Sequence, residues 1–491
     1  GGFMTIKIDQ EVAFLDYREK APLTAHKNMY LNDQGDVIDN ITLIGGQAAG
    51  VPGTVAGFWE AHQRFGQLPW KDLIQPAIEL ADKGFMPAPI LVESILSMEQ
   101  RFEGRTNFND YFNSISSDSL FRQPELANTL RRIAEFGADD FYRGETAALI
   151  VQQMEKSNGL ISLEDLDAYA AVWRAPVRAG WRDYEIISAP PPSSGGFAIV
   201  QLLKMKDYLS ELFEGVEHNS AQYIHLVAEM EKRVFADRAE YLGDPDFFDI
   251  DIDALIDDDY LARRAAEVNP KAISVLDSVN PGLESPNTTH YSIVDQWGNA
   301  VSNTYTINWD YGSGVVVGGA GFLLNNEMDD FSAKPGTPNI YGVVGSVANE
   351  IQPGKRMLSS MSPTIVLKGG EVEMVLGTPG GSTIFTTVFQ VITNIVHFGM
   401  SVEEAIGIAR FHHQLVPPDL ITYSGFTIGQ YLPKATVAGL LERGYRSEPH
   451  SFEYGDVQII MRSGDSWIAA SDPRDRGQSR VFEVTTKTRD R

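Results

Sequence analysis

Residues 287–295 read Asn287-Thr288-Thr289-His290-Tyr291-Ser292-Ile293-Val294-Asp295. Apolar residues alternate along this stretch, a turn follows at 296–299, and a second strand is predicted from Ala300 to Ile307, so the pattern is typical of a β-hairpin. A threonine hydroxyl becomes a good nucleophile when a base lies beside it, and its own free α-amino group can be that base. If Thr288 is a catalyst, the chain must first be cut between Asn287 and Thr288.

Two plainer interpretations of the same residues stay open at this point. Threonine is favoured in strands, so Thr288 and Thr289 also fit an ordinary strand start. The run Asn287-Thr288-Thr289 also matches the acceptor sequence for N-glycosylation. Other parts of the chain must decide between these interpretations.

The composition is that of a large globular protein, with 491 residues, 43% of them hydrophobic. No apolar run reaches the length of about 18 residues that predicts a membrane span. The 40 basic and 66 acidic side chains leave a net charge of −26, which disfavours nucleic acid and anionic membranes as partners. Such acidity suits a salty environment or ordinary solubility equally well. The absence of cysteine excludes disulfides and cysteine nucleophiles.

Hydrophobic periodicity predicts a mixed α and β chain. Strands are predicted over residues 3–8, 12–17, 184–188, 364–367, 372–376, 457–461 and 467–470. Helices are predicted over residues 73–83, 91–102, 126–136, 199–209, 221–242 and 382–398, with a further helix start at 162–165. The first residues, Gly1-Gly2-Phe3, enter a strand with no basic or apolar targeting region, so we expect the natural start of the chain to lie upstream.

Two segments are predicted to be loops. Residues 249–284 are rich in Asp, Glu, Asn and Pro and lose periodicity after Val268, so their last part should be an exposed loop with the slack that cleavage requires. Residues 334–345 contain two prolines and Tyr341, and we expect a mobile loop there. No metal signature is present, because the adjacent His412 and His413 cannot share one face.

The first group that could cooperate with Thr288 is Gly380-Gly381. The pair follows a predicted strand and opens a predicted helix, so its N–H groups and the helix dipole could stabilise a developing oxyanion. A tight strand-to-helix turn is the alternative explanation of the same glycines.

Three further groups could bind a charged substrate. The guanidinium of Arg18 matches a carboxylate in a bidentate manner, although a solvated arginine is the alternative. The hydroxyls of Ser359 and Ser360 could donate to the same carboxylate, or belong to an ordinary loop. Glu327 and Asp330 could hold an ammonium group, or be solvated. Together these groups fit an amino acid that is linked through its side-chain carbonyl.

At this point several stretches, taken together, strongly resemble gamma-glutamyltranspeptidase. The resemblance covers essentially the whole chain and rests on Asp16-Tyr17-Arg18-Glu19, Pro52-Gly53-Thr54-Val55-Ala56-Gly57-Phe58, Pro190-Pro191-Pro192-Ser193-Ser194-Gly195-Gly196, Tyr241-Leu242-Gly243-Asp244-Pro245, Asn287-Thr288-Thr289-His290-Tyr291-Ser292, Asn325-Asn326-Glu327-Met328-Asp329-Asp330-Phe331-Ser332, Met357-Leu358-Ser359-Ser360-Met361-Ser362-Pro363-Thr364 and Gly377-Thr378-Pro379-Gly380-Gly381-Ser382.

The resemblance implies an α+β fold, the αββα sandwich of the N-terminal-nucleophile hydrolases. It implies one precursor that cuts itself into a large subunit, 1–287, and a small subunit, 288–491, which pair as a heterodimer. It also implies a periplasmic or secreted enzyme without a cofactor, which passes the γ-glutamyl group of glutathione or related donors to water, amino acids or peptides.

The resemblance also assigns roles to individual residues. Thr288 is implied as the nucleophile, Thr306 as the support of its amine, and Gly380 and Gly381 as the oxyanion hole. The α-carboxylate of the substrate would be held by Arg18, Ser359 and Ser360, and its α-amino group by Asn308, Glu327 and Asp330. Tyr341 falls in the segment that resembles the family's lid. Position 327 is Glu where several bacterial members carry Gln, which changes the local charge.

Two rival functions remain open on the sequence. A glutaryl-type β-lactam acylase would use the same scaffold, but Asp330 disfavours it because a glutaryl group has no ammonium to bind. A solute-binding protein without catalysis is the rival from another class, and it would stay in one piece after folding.

Overall fold

A computed structural model of the protein describes residues 1–275, 288–334, 347–450, 452–475 and 477–483. The strands are β1 Gly2–Ile8, β2 Glu11–Asp16, β3 Val172–Arg174, β4 Val177–Trp181, β5 Tyr184–Ser188, β6 Thr289–Val294, β7 Ala300–Tyr305, β8 Thr364–Lys368, β9 Glu371–Gly377, β10 Arg410–His412, β11 Leu420–Ser424, β12 Arg446–Pro449, β13 Gln458–Ser463 and β14 Ser466–Ser471.

The helices are α1 Thr54–Phe65, α2 Trp70–Lys83, α3 Pro89–Phe102, α4 Phe108–Phe112, α5 Pro124–Phe136, α6 Ala138–Arg143, α7 Glu145–Ser157, α8 Leu163–Asp167, α9 Gly195–Tyr208, α10 Ser210–Phe213, α11 Ala221–Tyr241, α12 Ile252–Leu255, α13 Asp258–Ala266, α14 Thr383–Val396, α15 Val402–Gly407 and α16 Lys434–Glu442. Short 3-10 helices occupy Gly46–Ala48, Glu327–Asp330 and Val347–Asn349.

Two stacked sheets form the centre of the molecule. One has the order β3-β2-β1-β7-β6 and the other β14-β13-β9-β8-β5-β4, and all neighbouring strands in both are antiparallel. Side chains tie the two layers together, because the Ser302 hydroxyl donates to Leu376 O (3.1 Å) and the Thr5 hydroxyl donates to Pro363 O (2.7 Å). Between the sheets lies an aliphatic layer that includes Ile365.

Helices cover both outer faces, which completes an αββα sandwich. The six-stranded sheet packs against α9, α11 and α14 in the largest core cluster, where the rings of Phe235 and Phe385 lie 4.9 Å apart. The five-stranded sheet packs against α1, whose Phe58 ring lies 5.9 Å from Tyr17 and 6.0 Å from Tyr305. The predicted fold class is therefore confirmed.

Most predicted elements are confirmed with ends that shift by a few residues. Ser162 caps α8 in a reciprocal capping box with Asp165, as the local pattern predicts. Strands β3, β4 and the small sheet β10-β11-β12 lack a prediction, because runs of three to five residues are too short to show a period. The predicted lid, with Tyr341, and most of the predicted cleavage loop, with Asn287, lie outside the described residues.

The core joins the two parts of the chain that precede and follow Thr288. Helices α9 and α11 come from the first part, and α14 from the second, yet they share one buried cluster. Strand β1 likewise lies between β2 and β7 of the five-stranded sheet. None of the helices in the described ranges has the length and hydropathy that a bilayer span requires.

Candidate active site

Thr288 is the residue immediately before β6, at one end of an edge strand. The predicted hairpin is confirmed, because β6 pairs antiparallel with β7 and places Thr289 opposite Tyr305. The next residue, His290, is buried, with its ring nitrogens 2.8 Å from the Thr304 hydroxyl and 3.1 Å from the Ser292 hydroxyl. Burial lowers the pKa of His290 to about 3, so its ring is neutral at physiological pH and serves the packing of this strand.

A cavity of about 690 Å³ opens beside Thr288. Thr306 and Pro379 lie in its wall, so it joins the end of β7 to the glycine turn after β9. Glu19, next to Arg18 in the chain, also lines it. The nucleophile candidate thus faces a space that Thr306, among the other predicted site residues, also lines.

Thr306 and Asn308 are linked by backbone geometry at the end of β7. The Asn308 N–H donates to the Thr306 hydroxyl oxygen (2.8 Å), and the Asn308 side-chain amide donates to Asn326 O (3.0 Å). Asn308 has φ +72°, a left-handed conformation that asparagine tolerates better than most residues. The Asn308 side chain therefore links the segment just after β7, which holds Thr306, to the residue that precedes the 3-10 helix of Glu327.

Gly380 and Gly381 lie between β9 and α14, as predicted. Their φ angles are +134° and +56°, which a side chain would strain. The Gly380 carbonyl accepts from the Thr383 N–H (3.0 Å) and hydroxyl (2.7 Å), so the turn is anchored to the first residue of α14. This geometry is that of the tight turn predicted from the sequence, and the role of the two glycines as an oxyanion hole stays a prediction.

Arg18, Glu327 and Asp330 form a buried ion cluster. The Arg18 guanidinium donates to Glu327 Oε2 (2.6 Å) and to the Asp330 carboxylate, and it lies 3.5 Å from Glu19 Oε2. Arg18 and Glu327 have no exposed surface. The alternative of solvated surface charges is therefore wrong for these residues.

Burial controls the protonation of this cluster. Burial lowers the pKa of Arg18, but the charges of Glu327 and Asp330 outweigh it and leave this pKa above its usual value. Burial raises the pKa of Glu327 well above its usual range and also raises that of Asp330, and the Arg18 charge opposes both shifts. Arg18 is thus a permanent cation, and burial favours the neutral form of Glu327.

A second set of contacts holds Arg18 in place. Its backbone N–H donates to Asp16 Oδ1 (2.9 Å), its carbonyl accepts from the Tyr169 hydroxyl (2.8 Å), and its Nε donates to Met357 O (3.3 Å). Asp16 is paired in turn with Arg174 (2.7 Å). The backbone of Arg18 is thus held by Asp16 and Tyr169, and its guanidinium by Met357 and the two carboxylates. A residue held in this way is pre-organised, because few rotamers remain to be lost when a ligand binds.

Ser359 and Ser360 lie in a buried segment beside the loop that contains Ser194. The Ser194 N–H donates to Ser359 O (2.8 Å), and the Ser359 N–H donates to Pro192 O (2.8 Å). The Arg238 guanidinium donates to the Ser194 hydroxyl (3.1 Å) and the Ser360 hydroxyl (3.4 Å). Contact of Arg18 with Met357 places the two serines close to the ion cluster.

The structure therefore gathers most of the predicted site around one region. The residues outside its described part are Asn287 and Tyr341, whose positions stay predictions. Arg238 and the hydroxyl of Ser194 are not predicted from the sequence, although Ser194 lies in a motif that carried the resemblance. The sequence around Arg238 does not indicate a site residue, because basic side chains are generally favoured in the last turn of a helix, where Arg238 lies.

The chain is similar to known proteins over most of its length. A family-wide sequence profile of gamma-glutamyltranspeptidases matches residues 1–482. A glutathione hydrolase proenzyme of Pseudomonas aeruginosa is 56% identical over 98% of this chain and 86% of its own length. A solved structure of gamma-glutamyltranspeptidase from Pseudomonas nitroreducens is 54% identical, with a TM-score of 0.55 over 56% of this chain and 82% of that chain.

A cephalosporin acylase from Bacillus halodurans has a TM-score of 0.83 over 99% of this chain and 87% of its own, at 23% identity, which shows a common fold alone. That fold is the αββα sandwich of the N-terminal-nucleophile hydrolases. Within that class, the match over residues 1–482 and the 56% identity show that this chain belongs to the gamma-glutamyltranspeptidase family. It is accordingly an enzyme of the hydrolase and acyltransferase type.

Proposed function

We propose that this protein is a glutathione hydrolase and gamma-glutamyltranspeptidase that acts through Thr288 after cleavage of the Asn287–Thr288 bond. The observation that carries this proposal is the buried cluster of Arg18, Glu327 and Asp330 beside the Thr288 cavity. It contains one permanent cation and two carboxyl groups, which are the partners that the α-carboxylate and α-ammonium of a γ-glutamyl group require.

The cluster explains why a zwitterion is preferred. Arg18 is paired with Asp330. A γ-glutamyl group brings one charge for each of them, so every buried charge stays paired. Glu327 Oε1 is buried and accepts no hydrogen bond from the described residues, which leaves it available to the ammonium. A glutaryl group brings only the carboxylate and leaves Asp330 without a new cation, and an uncompensated buried charge costs about 3–5 kcal/mol.

The proposed reaction has two steps. The Thr288 Oγ attacks the γ-carbonyl carbon, its proton passes to the Thr288 α-amine, and Gly380 and Gly381 donate N–H groups to the oxyanion. The carbon–nitrogen bond breaks, the α-amine returns the proton to the leaving amine, and a γ-glutamyl ester of Thr288 remains. Water or the amine of an amino acid or peptide then attacks this ester and releases Thr288.

Residues 1–287 would form the large subunit and 288–491 the small one. Their shared core, in which Phe235 packs against Phe385, supports a heterodimer that persists without a covalent link. By family membership we also propose a periplasmic or secreted location, and substrates that include glutathione, other γ-glutamyl compounds and amino-acid or peptide acceptors.

Cleavage and catalysis are tested together by changing Thr288. The parent should give two bands on a denaturing gel, and sequencing of the smaller one should begin Thr-Thr-His-Tyr. Thr288→Ala should remain one soluble chain without turnover of γ-glutamyl-p-nitroanilide. Thr288→Ser keeps the hydroxyl but loses the methyl that restricts χ1, so it should cleave slowly and keep partial activity.

Each failure has a distinct meaning. A soluble alanine variant with normal turnover would disprove the threonine mechanism, and another N-terminus on the small fragment would disprove the choice of Thr288. A parent that stays in one piece and binds γ-glutamyl compounds without turnover would favour the solute-binding alternative. A parent that prefers glutaryl donors would favour the acylase alternative.

A further inference from the structure

Arg238 is a buried guanidinium that bridges two segments of the candidate glutamyl pocket. It lies in the last turn of α11 and is 6% exposed. Its Nε donates to the Ser194 hydroxyl oxygen at 3.1 Å, and its Nη2 donates to the Ser360 hydroxyl oxygen at 3.4 Å. Ser194 belongs to the first part of the chain and Ser360 to the part after Thr288, so this single side chain spans both.

The donor and acceptor capacity of a hydroxyl determines how the Ser360 O–H is oriented. A serine hydroxyl has one O–H to donate and two lone pairs to accept with. Ser194 uses its O–H on Ser359 O (3.0 Å) while it accepts from Arg238. When Ser360 accepts from the same guanidinium, its O–H must point away from Arg238. The positive charge also polarises that O–H and makes it a stronger donor.

The surroundings of Arg238 indicate which substrate group benefits. Its charge acts on Asp330, where burial raises the pKa and the Arg18 charge opposes that shift more strongly than Arg238 does. Arg238 therefore lies near Asp330 as well as Ser360. A Ser360 O–H that points toward the ion cluster would suit an anion, and the anion of a γ-glutamyl group is its α-carboxylate.

We propose that Arg238 is a positioning residue of the glutamyl pocket, which orients the Ser360 O–H toward the α-carboxylate of the donor. This inference rests on the proposed function, because it assumes a γ-glutamyl substrate. Arg238 acts through Ser360, so its loss weakens binding of the carboxylate and leaves the chemistry at Thr288 intact.

The test compares inhibition by L-glutamate with inhibition by 4-aminobutyrate, which is the same molecule without the α-carboxylate. Arg238→Gln should raise KM for γ-glutamyl-p-nitroanilide and Ki for L-glutamate about 5- to 10-fold, the size of one hydrogen bond. Both kcat and the Ki of 4-aminobutyrate should stay within about twofold of the parent. Arg238→Lys keeps the charge and one donor, so it should recover part of the loss.

A double-mutant cycle with Ser360→Ala tests whether Arg238 affects L-glutamate binding through Ser360. Once the Ser360 hydroxyl is gone, Arg238→Gln should change the Ki of L-glutamate by less than about twofold further. Full additivity of the two changes would overturn the proposal. Equal losses for L-glutamate and 4-aminobutyrate would also overturn it, since they would show a purely structural role.

Two controls keep the test decisive. Arg233→Gln removes another buried guanidinium of α11, one that donates to Glu229 O (2.7 Å), and it should alter stability without changing the ratio of the two inhibition constants. If Arg238→Gln is insoluble, Ser194→Ala takes its place, because it removes one hydrogen-bond partner of the guanidinium. Ser194→Ala should raise the Ki of L-glutamate by a smaller factor and leave the Ki of 4-aminobutyrate unchanged. An equal rise in Ki for both inhibitors would refute the proposal. A parent without γ-glutamyl turnover would instead refute the proposed function.

Discussion

Asp330→Asn is the substitution that tests zwitterion recognition most directly. Asp330 pairs with Arg18, and its side chain is 17% exposed, so the pair is largely withdrawn from water. The asparagine keeps the shape and an acceptor oxygen but removes the charge. A lost charge-assisted hydrogen bond costs about 1.5–3 kcal/mol, which predicts a rise in KM for γ-glutamyl donors of about 10- to 150-fold.

The assay measures steady-state kinetics of parent and variant on γ-glutamyl- and glutaryl-p-nitroanilide. KM for the γ-glutamyl donor should rise, whereas the glutaryl donor should be used equally well or better, because the neutral amide of the variant leaves no carboxylate without a cation. Discrimination between the donors should therefore shrink. The matched control is Asp329→Asn, since Asp329 accepts from the Thr42 hydroxyl and should leave discrimination unchanged.

Unchanged kinetics of Asp330→Asn on both donors would refute the assignment of Asp330 to the substrate ammonium. Equal losses on both donors would refute it as well, because such losses would follow from a disturbed Arg18 rather than from a missing ammonium partner.

The remaining predictions concern protonation. Glu327→Gln should change KM for γ-glutamyl donors by about threefold or less, roughly 0.7 kcal/mol. The reason is that burial already raises the pKa of Glu327 and favours its neutral form. A rise in KM as large as that of Asp330→Asn would contradict this prediction. Burial, with the charges of Asp475 and Asp472, raises the pKa of Asp456 from 3.8 to about 7. Between about pH 4 and pH 7 the folded state therefore keeps a proton on Asp456 that the unfolded state has lost. The free energy of unfolding falls as pH rises through that window. The Asp456→Asn variant should therefore have a higher melting temperature than the parent at pH 8 but not at pH 4. An equal difference in melting temperature at both pH values would contradict the raised pKa of Asp456.

Sequence alone determined the elements whose signals are local. The hairpin of β6 and β7 follows from alternating residues around a turn, and the strand-turn-helix at Gly380 follows from glycines between two periodic segments. The capping box at Ser162 needs only residues three positions apart. Each of these depends on contacts within about 20 residues, which a linear pattern records directly.

The tertiary structure decided which charges meet. Arg18 and Glu327 are 309 residues apart in the chain, and their pairing requires β1, β2 and the 3-10 helix at Glu327 to be assembled first. Periodicity shows which face of an element is buried but not what lies against it. The bridge from Arg238 to Ser194 and Ser360 is likewise invisible in the sequence, because it forms only when the end of α11 packs against two loops distant in the chain.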